Sequence, residues 1–395
     1  MSGYNYQIDN IVRAAQAEDG LTNFGDESFR EPLRRLLWSL EHEAQLNETG
    51  ALVLQQRMVD ILVTRLRVQA YLQRYPEILD EEILAPLVIV GLPRTGTTML
   101  HRTIAADHRM YAPLWYEVRF PCPALDWDFT SRGDQRIVDA KAEMQAMVDA
   151  NPNLLAIHPM DAMGPDEDIM LLEQSFYSFM PQSSANVPSF DAWLEAQDHT
   201  PGYQYLKLLL QFLQWQKKRT GCPAERSPAE RWTLKAPHHL HYMDLVLKVF
   251  PDAKVVQSHR DPIETIPSLT SLIAGVWLIY SDSVDLTEAG RQWARKFANG
   301  MRRTMAVRQQ NPEERFLDLW FHDTVSQPLV EIQKIYDFLG MELTVEAQAE
   351  MEQWQDFNQR ELRPSHDYTL AQYGFTESGL QAQFREYRDK FIIGR

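Results

Sequence analysis

Cysteine is nearly absent: two thiols, Cys122 and Cys222, in 395 residues. They stand in Pro-Cys-Pro and Gly-Cys-Pro contexts, which make neither a disulfide framework nor a zinc site, so a reducing compartment is expected. Basic residues are also scarce, with 39 Lys+Arg against 55 Asp+Glu and a net charge of −16. That balance excludes a general nucleic-acid or anionic-membrane binder, which needs a basic face. It leaves room for a small basic pocket around one anionic ligand. The first twenty residues hold no apolar signal core. The longest uncharged run, between Glu264 and Asp282, contains Pro267 and several Ser and Thr, and is too short and polar for a membrane span. A cytoplasmic protein is expected. What is present, 44% hydrophobic and 24% charged residues, suits a globular enzyme with a large core.

Residues 1–85 read as a helical N-terminal segment packed on the core, because apolar residues recur at helical spacing through 11–16, 33–46 and 51–79. From Pro86 the pattern changes. Residues 86–90 (PLVIV) form a short apolar run with β-branched residues, as in a buried parallel strand, followed by the loop GLPRTGTT and a helix. Two further units repeat this order. Strand 231–234 leads into a helix from about His238 to Phe250, and strand 254–259 leads into a helix after Pro262. A fourth strand, 315–321, precedes another helix. The expected fold is α/β, a P-loop-like, mainly parallel sheet flanked by helices over residues 86–395. The irregular stretch 120–225, rich in Pro, Met and aromatics, is expected to form an acceptor pocket or lid.

Gly91-Leu-Pro-Arg94-Thr95-Gly96-Thr97-Thr98 lies between strand and helix. Its glycines allow a tight turn whose N–H groups point inward, and the helix N-terminus adds partial positive charge: a phosphate cradle. The Lys that follows the second glycine in ATP-binding loops is here Thr97, and the cation is Arg94, inside the loop. PRTGTT resembles the 5′-phosphosulfate loop of the sulfotransferases that use 3′-phosphoadenosine 5′-phosphosulfate (PAPS), whose usual form is P-K-[ST]-G-T-T. The resemblance assigns the phosphosulfate to Arg94, Thr95, Gly96, Thr97 and Thr98. It departs from the family in two places: Arg replaces the commoner Lys, and Met99 stands where many members carry a Trp near the adenine.

The segment KVVQSHRDPIETIPSLTSL resembles the second signature of that family, with Ser268 eight positions after Arg260. The resemblance assigns the 3′-phosphate to Arg260 and Ser268, while Asp261 and Pro262 also make a helix start. The likeness spans about residues 86–340, and a weaker tail places His366 and Tyr368 near the cofactor. Its closest flavour is a divergent bacterial branch with LKxPxHL.

Lys235-Ala-Pro-His238-His239 follows a strand at the edge where α/β sites form. Hydroxyl attack on sulfur requires a base and a cation near the departing oxygen. Lys235 is the expected cation. The LKxPxHL pattern points to His239 as base, while spacing from Arg260 in another branch points to His238. Asp166, Glu167 and Asp168 open a helix, where capping is expected, with Glu167 as the further catalytic candidate. No metal is expected, since adjacent histidines on a helix do not face one way. The expected acceptor is a hydroxylated small molecule or a lipid-like alcohol. Two rival readings are an ATP- or GTP-dependent P-loop phosphotransferase and a non-catalytic nucleotide-binding module.

Overall fold

The computed structural model describes residues 6–129, 133–150, 160–220, 229–358 and 369–394. Cys222, His366 and Tyr368 therefore lie outside the described residues. Five parallel strands form one sheet: β1 (Leu87–Gly91), β2 (Met110–Tyr111), β3 (Arg231–Lys235), β4 (Lys254–His259) and β5 (Phe316–Trp320), in the order β2-β3-β1-β4-β5. Four were expected. The fifth, β2, is two residues long, too short to leave a periodic signal, and pairs only with the start of β3.

Every residue of β1 is buried. Covering both faces of a parallel sheet demands this, and each fully buried Val, Leu or Ile contributes about 1.5–3 kcal/mol relative to exposure. The register places Gly91 beside Ser258, Ile89 beside Lys235 and His259 beside Trp320. The C-terminal ends of β1, β3, β4 and β5 thus share one edge, where the chain crosses from one side of β1 to the other. That is where parallel α/β sheets form their ligand crevice.

The helices Ile8–Asp19, Arg30–His42 and Glu48–Arg74 pack around Leu33, Leu36 and Leu62. The same cluster includes Phe176, Val187, Phe190 and Leu194 from the 120–225 stretch. A buried ion pair, Arg57 to Glu173 at 2.5 Å, joins these two regions.

Most of the uncharged run lies in the helix Pro262–Tyr280, which reaches a mean hydropathy of 1.4. The expectation that it is too short and polar to span a membrane is corrected: by length and composition it qualifies. Its apolarity has a different cause, since 56% of that window is buried inside the protein, as in a core helix.

Candidate active site

The loop after β1 is locked from within. A Cβ on Gly91 would lie 2.6 Å from Thr95 Oγ1 and 2.7 Å from the Ser258 carbonyl. Only glycine lets the loop fold back so closely. Thr95 is buried, its hydroxyl donates to the Leu92 carbonyl at 2.8 Å, and Ser258 Oγ donates to the Thr95 carbonyl at 2.6 Å. Arg94 and Gly96 both take left-handed backbone angles, φ 73° and 84°. For Arg94 this is uncommon, and such strain gathers at ligand-binding turns. The helix Thr97–Ile104 starts immediately after, with Gly96 at its N-cap and no side chain capping it. Its first-turn N–H groups and dipole favour an anion there.

The second anchor meets the first. Arg94 Nε donates to Ser268 Oγ at 3.2 Å, and Arg260 Nη1 donates to the Arg94 carbonyl at 3.0 Å. The Arg260 guanidinium also pairs with Glu264 at 2.6 Å and lies 4.0 Å from the Phe321 ring centre. A Cβ on Gly96 would press on that ring at 3.1 Å. Phe321 therefore closes the gap between loop and Arg260, a contact no sequence motif signals.

Residues flanking Arg260 are braced. Asp261 caps the next helix through the Ile263 N–H at 3.1 Å and accepts from Arg388 Nε and Nη2 at 3.0 and 2.9 Å. His259 bonds Asp318 through Nε2 at 2.8 Å and the Tyr387 hydroxyl through Nδ1 at 3.1 Å. Burial pulls the Asp318 carboxyl up, but hydrogen bonds from His259 and Arg308 outweigh it and hold it well below the usual range.

At the end of β3 the three consecutive acids separate. Asp166 pairs with the buried Arg102 at 3.5 Å. Glu167 holds the Lys235 ammonium at 2.5 Å, and that ammonium is also 3.3 Å from Thr98 Oγ1 in the phosphate loop. Asp168 Oδ1 accepts the Lys235 main-chain N–H at 2.8 Å, and its Oδ2 lies 2.8 Å from His239 Nε2. Asp168 occupies the N-cap position of the helix Ile169–Glu173 without capping it. The capping expectation is thus corrected: a buried carboxylate has better partners in the strand end than in the helix.

The helix expected from His238 is also corrected. Pro237–Leu240 form a 3₁₀ turn and the α-helix runs over Met243–Val249. A 3₁₀ turn rotates the two histidines apart. His239 faces Asp168, and its Nδ1 lies 2.9 Å from the Tyr203 hydroxyl, so both ring nitrogens are engaged and the side chain is 1% exposed. Neither nitrogen remains for an acceptor hydroxyl. His238 points into the core among Phe179, Tyr242 and His199, and neither of its nitrogens has a partner among the described residues. Glu167 keeps 24% exposure while Lys235 keeps 3%. The structure brings together Arg94, Arg260 and Ser268 on one side and Thr98, Lys235 and Glu167 on the other.

One grouping of possible metal ligands, His108, Glu346 and Glu350, occurs among the described residues. It stands past the far end of the helix Thr97–Ile104, away from the phosphate loop.

Four buried histidines link stability to pH. Burial drives His101 down to about 3 and His199 to about 4, and drives His238 and His241 well below their ordinary value. A neutral histidine that cannot charge in the fold stabilises it above the unfolded pKa of about 6.5 and loses that contribution as pH falls toward the folded value. Each adds up to about 1.4 kcal/mol per pH unit to the slope. Denaturant unfolding between pH 7 and pH 5 is therefore expected to show stability falling steeply on the acid side. A flat profile would contradict the buried, neutral assignment.

A model of the sulfotransferase family matches residues 86–345. Among curated proteins the chain is similar to omega-hydroxy-beta-dihydromenaquinone-9 sulfotransferase Stf3 of Mycobacterium bovis and of Mycobacterium tuberculosis. Each is 24% identical over 268 residues, covering 65% of this chain and 63% of the relative. The match thus spans less than two thirds of those relatives' length. Among solved structures, sulfotransferase STF1 from Mycobacterium tuberculosis has a TM-score of 0.82 at 29% identity, covering 96% of this chain and 98% of that one. Sulfotransferase STF9 from Mycobacterium avium has a TM-score of 0.85 at 28% identity, covering 100% and 98%.

Proposed function

Since this chain belongs to the sulfotransferase family, we propose that it transfers a sulfuryl group from PAPS to the hydroxyl of an apolar alcohol. The single observation that carries this reading is the convergence of Arg94, Arg260 and Ser268 beside the phosphate loop. Two guanidiniums and a hydroxyl next to a helix N-terminus suit a nucleotide with phosphates at both ends, and planar guanidinium forks bind phosphate bidentately. Thr97 in place of the Walker lysine speaks against an ATP- or GTP-dependent phosphotransferase.

The donor supplies an activated sulfur and a nucleotide leaving group. The chain's own residues would do the rest. Glu167, partly exposed and facing Thr98 across Lys235, is the base we assign in place of His239, whose nitrogens are engaged. Its carboxylate would take the acceptor proton as the new O–S bond forms. Neutralising that carboxylate loosens its hold on Lys235, which leaves the ammonium to meet charge building on the departing oxygen.

An apolar acceptor is supported by the helix that carries Ser268. Residues Leu272, Val276 and Ile279 continue the same helical face and are only half-buried, and Gly275 among them has open space where a Cβ would stand. The Stf3 relatives, by name, act on a hydroxylated menaquinone. We also place the protein in a reducing compartment, in keeping with Cys122 as a buried free thiol.

The test is a titration of 3′,5′-ADP against 5′-ADP and ATP, with and without Mg²⁺, followed by an acceptor screen with labelled PAPS. Preference for 3′,5′-ADP and turnover that survives chelation are expected. ATP preference with Mg²⁺ dependence would restore the phosphotransferase reading, and binding without turnover on any alcohol would favour the non-catalytic module.

A further inference from the structure

Two neighbouring carboxylates grip one lysine from opposite ends. Glu167 holds the Lys235 ammonium, and Asp168 holds its main-chain N–H. Behind Asp168 the contacts continue to His239 at 2.8 Å and from His239 to Tyr203 at 2.9 Å. Asp168, His239 and Tyr203 are all essentially inaccessible. They tie the long helix Thr200–Thr220, which carries Tyr203, to the end of β3. Resting on the reading of Lys235 and Glu167 as the reacting groups, we propose that Asp168, His239 and Tyr203 form a positioning relay. It sets the Lys235 ammonium between Glu167 and Thr98.

The hydrogen-bond chemistry orders the relay. An ionised carboxylate only accepts, so the proton shared with Asp168 sits on His239 Nε2. Nδ1 then accepts from the Tyr203 hydroxyl. Burial pushes Asp168 up, yet its contact with His239 and the hydrogen bond from the Lys235 N–H outweigh it and hold the carboxyl below its ordinary value. Burial keeps the Tyr203 hydroxyl well above its own, hence protonated and able to donate. Lysine needs such bracing because its four-carbon stem is flexible. The relay fixes the root of that stem while Glu167 and Thr98 fix its tip.

The test compares Asp168→Ala, Asp168→Asn and Tyr203→Phe for turnover, acceptor KM and 3′,5′-ADP affinity. His239 is also read by NMR on ring-nitrogen-labelled histidine. Asp168→Ala is expected to lower kcat by about 100-fold, the scale of a small misplacement of a reacting group, with 3′,5′-ADP affinity within about threefold. Asp168→Asn should recover most of that loss, because its oxygen still accepts the Lys235 N–H and its amide donates to Nε2. The ring proton must then move to Nδ1, so the NMR should show the Nε2–H form in the wild type and the Nδ1–H form in Asp168→Asn. If Asp168→Ala does not fold, Tyr203→Phe carries the test with a smaller drop in kcat at unchanged KM. Wild-type turnover in folded Asp168→Ala or Tyr203→Phe, a loss of nucleotide affinity equal to the loss of kcat, or an Nδ1–H wild type would overturn the relay. The tautomer reading requires no turnover. Failure of the sulfuryl-transfer reading shows separately, as a wild-type protein inert toward PAPS.

Discussion

Glu167→Gln is expected to lower turnover by about 10²- to 10⁴-fold, the usual worth of a general base, with little change in 3′,5′-ADP affinity. The substitution is informative because the amide oxygen can still accept from the Lys235 ammonium, now at 2.5 Å. Geometry is retained, and the ability to take a proton is what disappears. Steady-state kinetics with labelled PAPS and a responsive alcohol give kcat, and calorimetry gives the nucleotide affinity. Turnover near wild type would send the base back to the histidine pair. That pair would then have to break the bond to Asp168 or leave the core before touching an acceptor.

The second large effect belongs to Arg260. Arg260→Ala should weaken 3′,5′-ADP by about 2–5 kcal/mol, the cost of truncating one partner of a charged pair that is buried once the nucleotide binds, while 5′-AMP loses far less. The neighbouring contacts sharpen the expectation. Arg260 supports the loop through the Arg94 carbonyl and stacks on Phe321. Arg260→Lys restores charge without the planar fork, and should recover only part of the loss. Equal losses for the two nucleotides would remove Arg260 from the 3′-phosphate and leave it as a brace for the loop.

The α/β architecture and the phosphate loop were legible in the chain because both are written locally. Leu87–Gly91 is an unbroken apolar run, and a strand covered on both faces can be nothing else. The glycines of Gly91–Thr98 mark backbone that must turn, and the turn is bound to the helix that follows. Asp261 as a helix cap is equally local, since cap and capped N–H are two residues apart. Arg260 and Ser268 stand in one motif on adjoining elements. Their spacing suggests convergence before any distance is known.

What tertiary structure decided is how side chains from distant segments divide the polar work at the end of β3. Asp166, Glu167 and Asp168 look alike in sequence, all acids at a helix start. Their fates follow from what each faces: Arg102, the Lys235 ammonium, and the buried His239. Tyr203 carries no signal, because its partner lies 36 residues away on another element. The histidine pair shows the same limit most sharply. A one-residue choice between His238 and His239 depends on whether the chain there is an α-helix or a 3₁₀ turn, and on which ring meets a carboxylate. Sequence alone placed a lysine and two histidines after one strand and a phosphate-cradling loop after another, and left the acids at the start of a separate helix. Only packing assigned each its partner, because a buried polar group must find its hydrogen bond wherever the fold provides one.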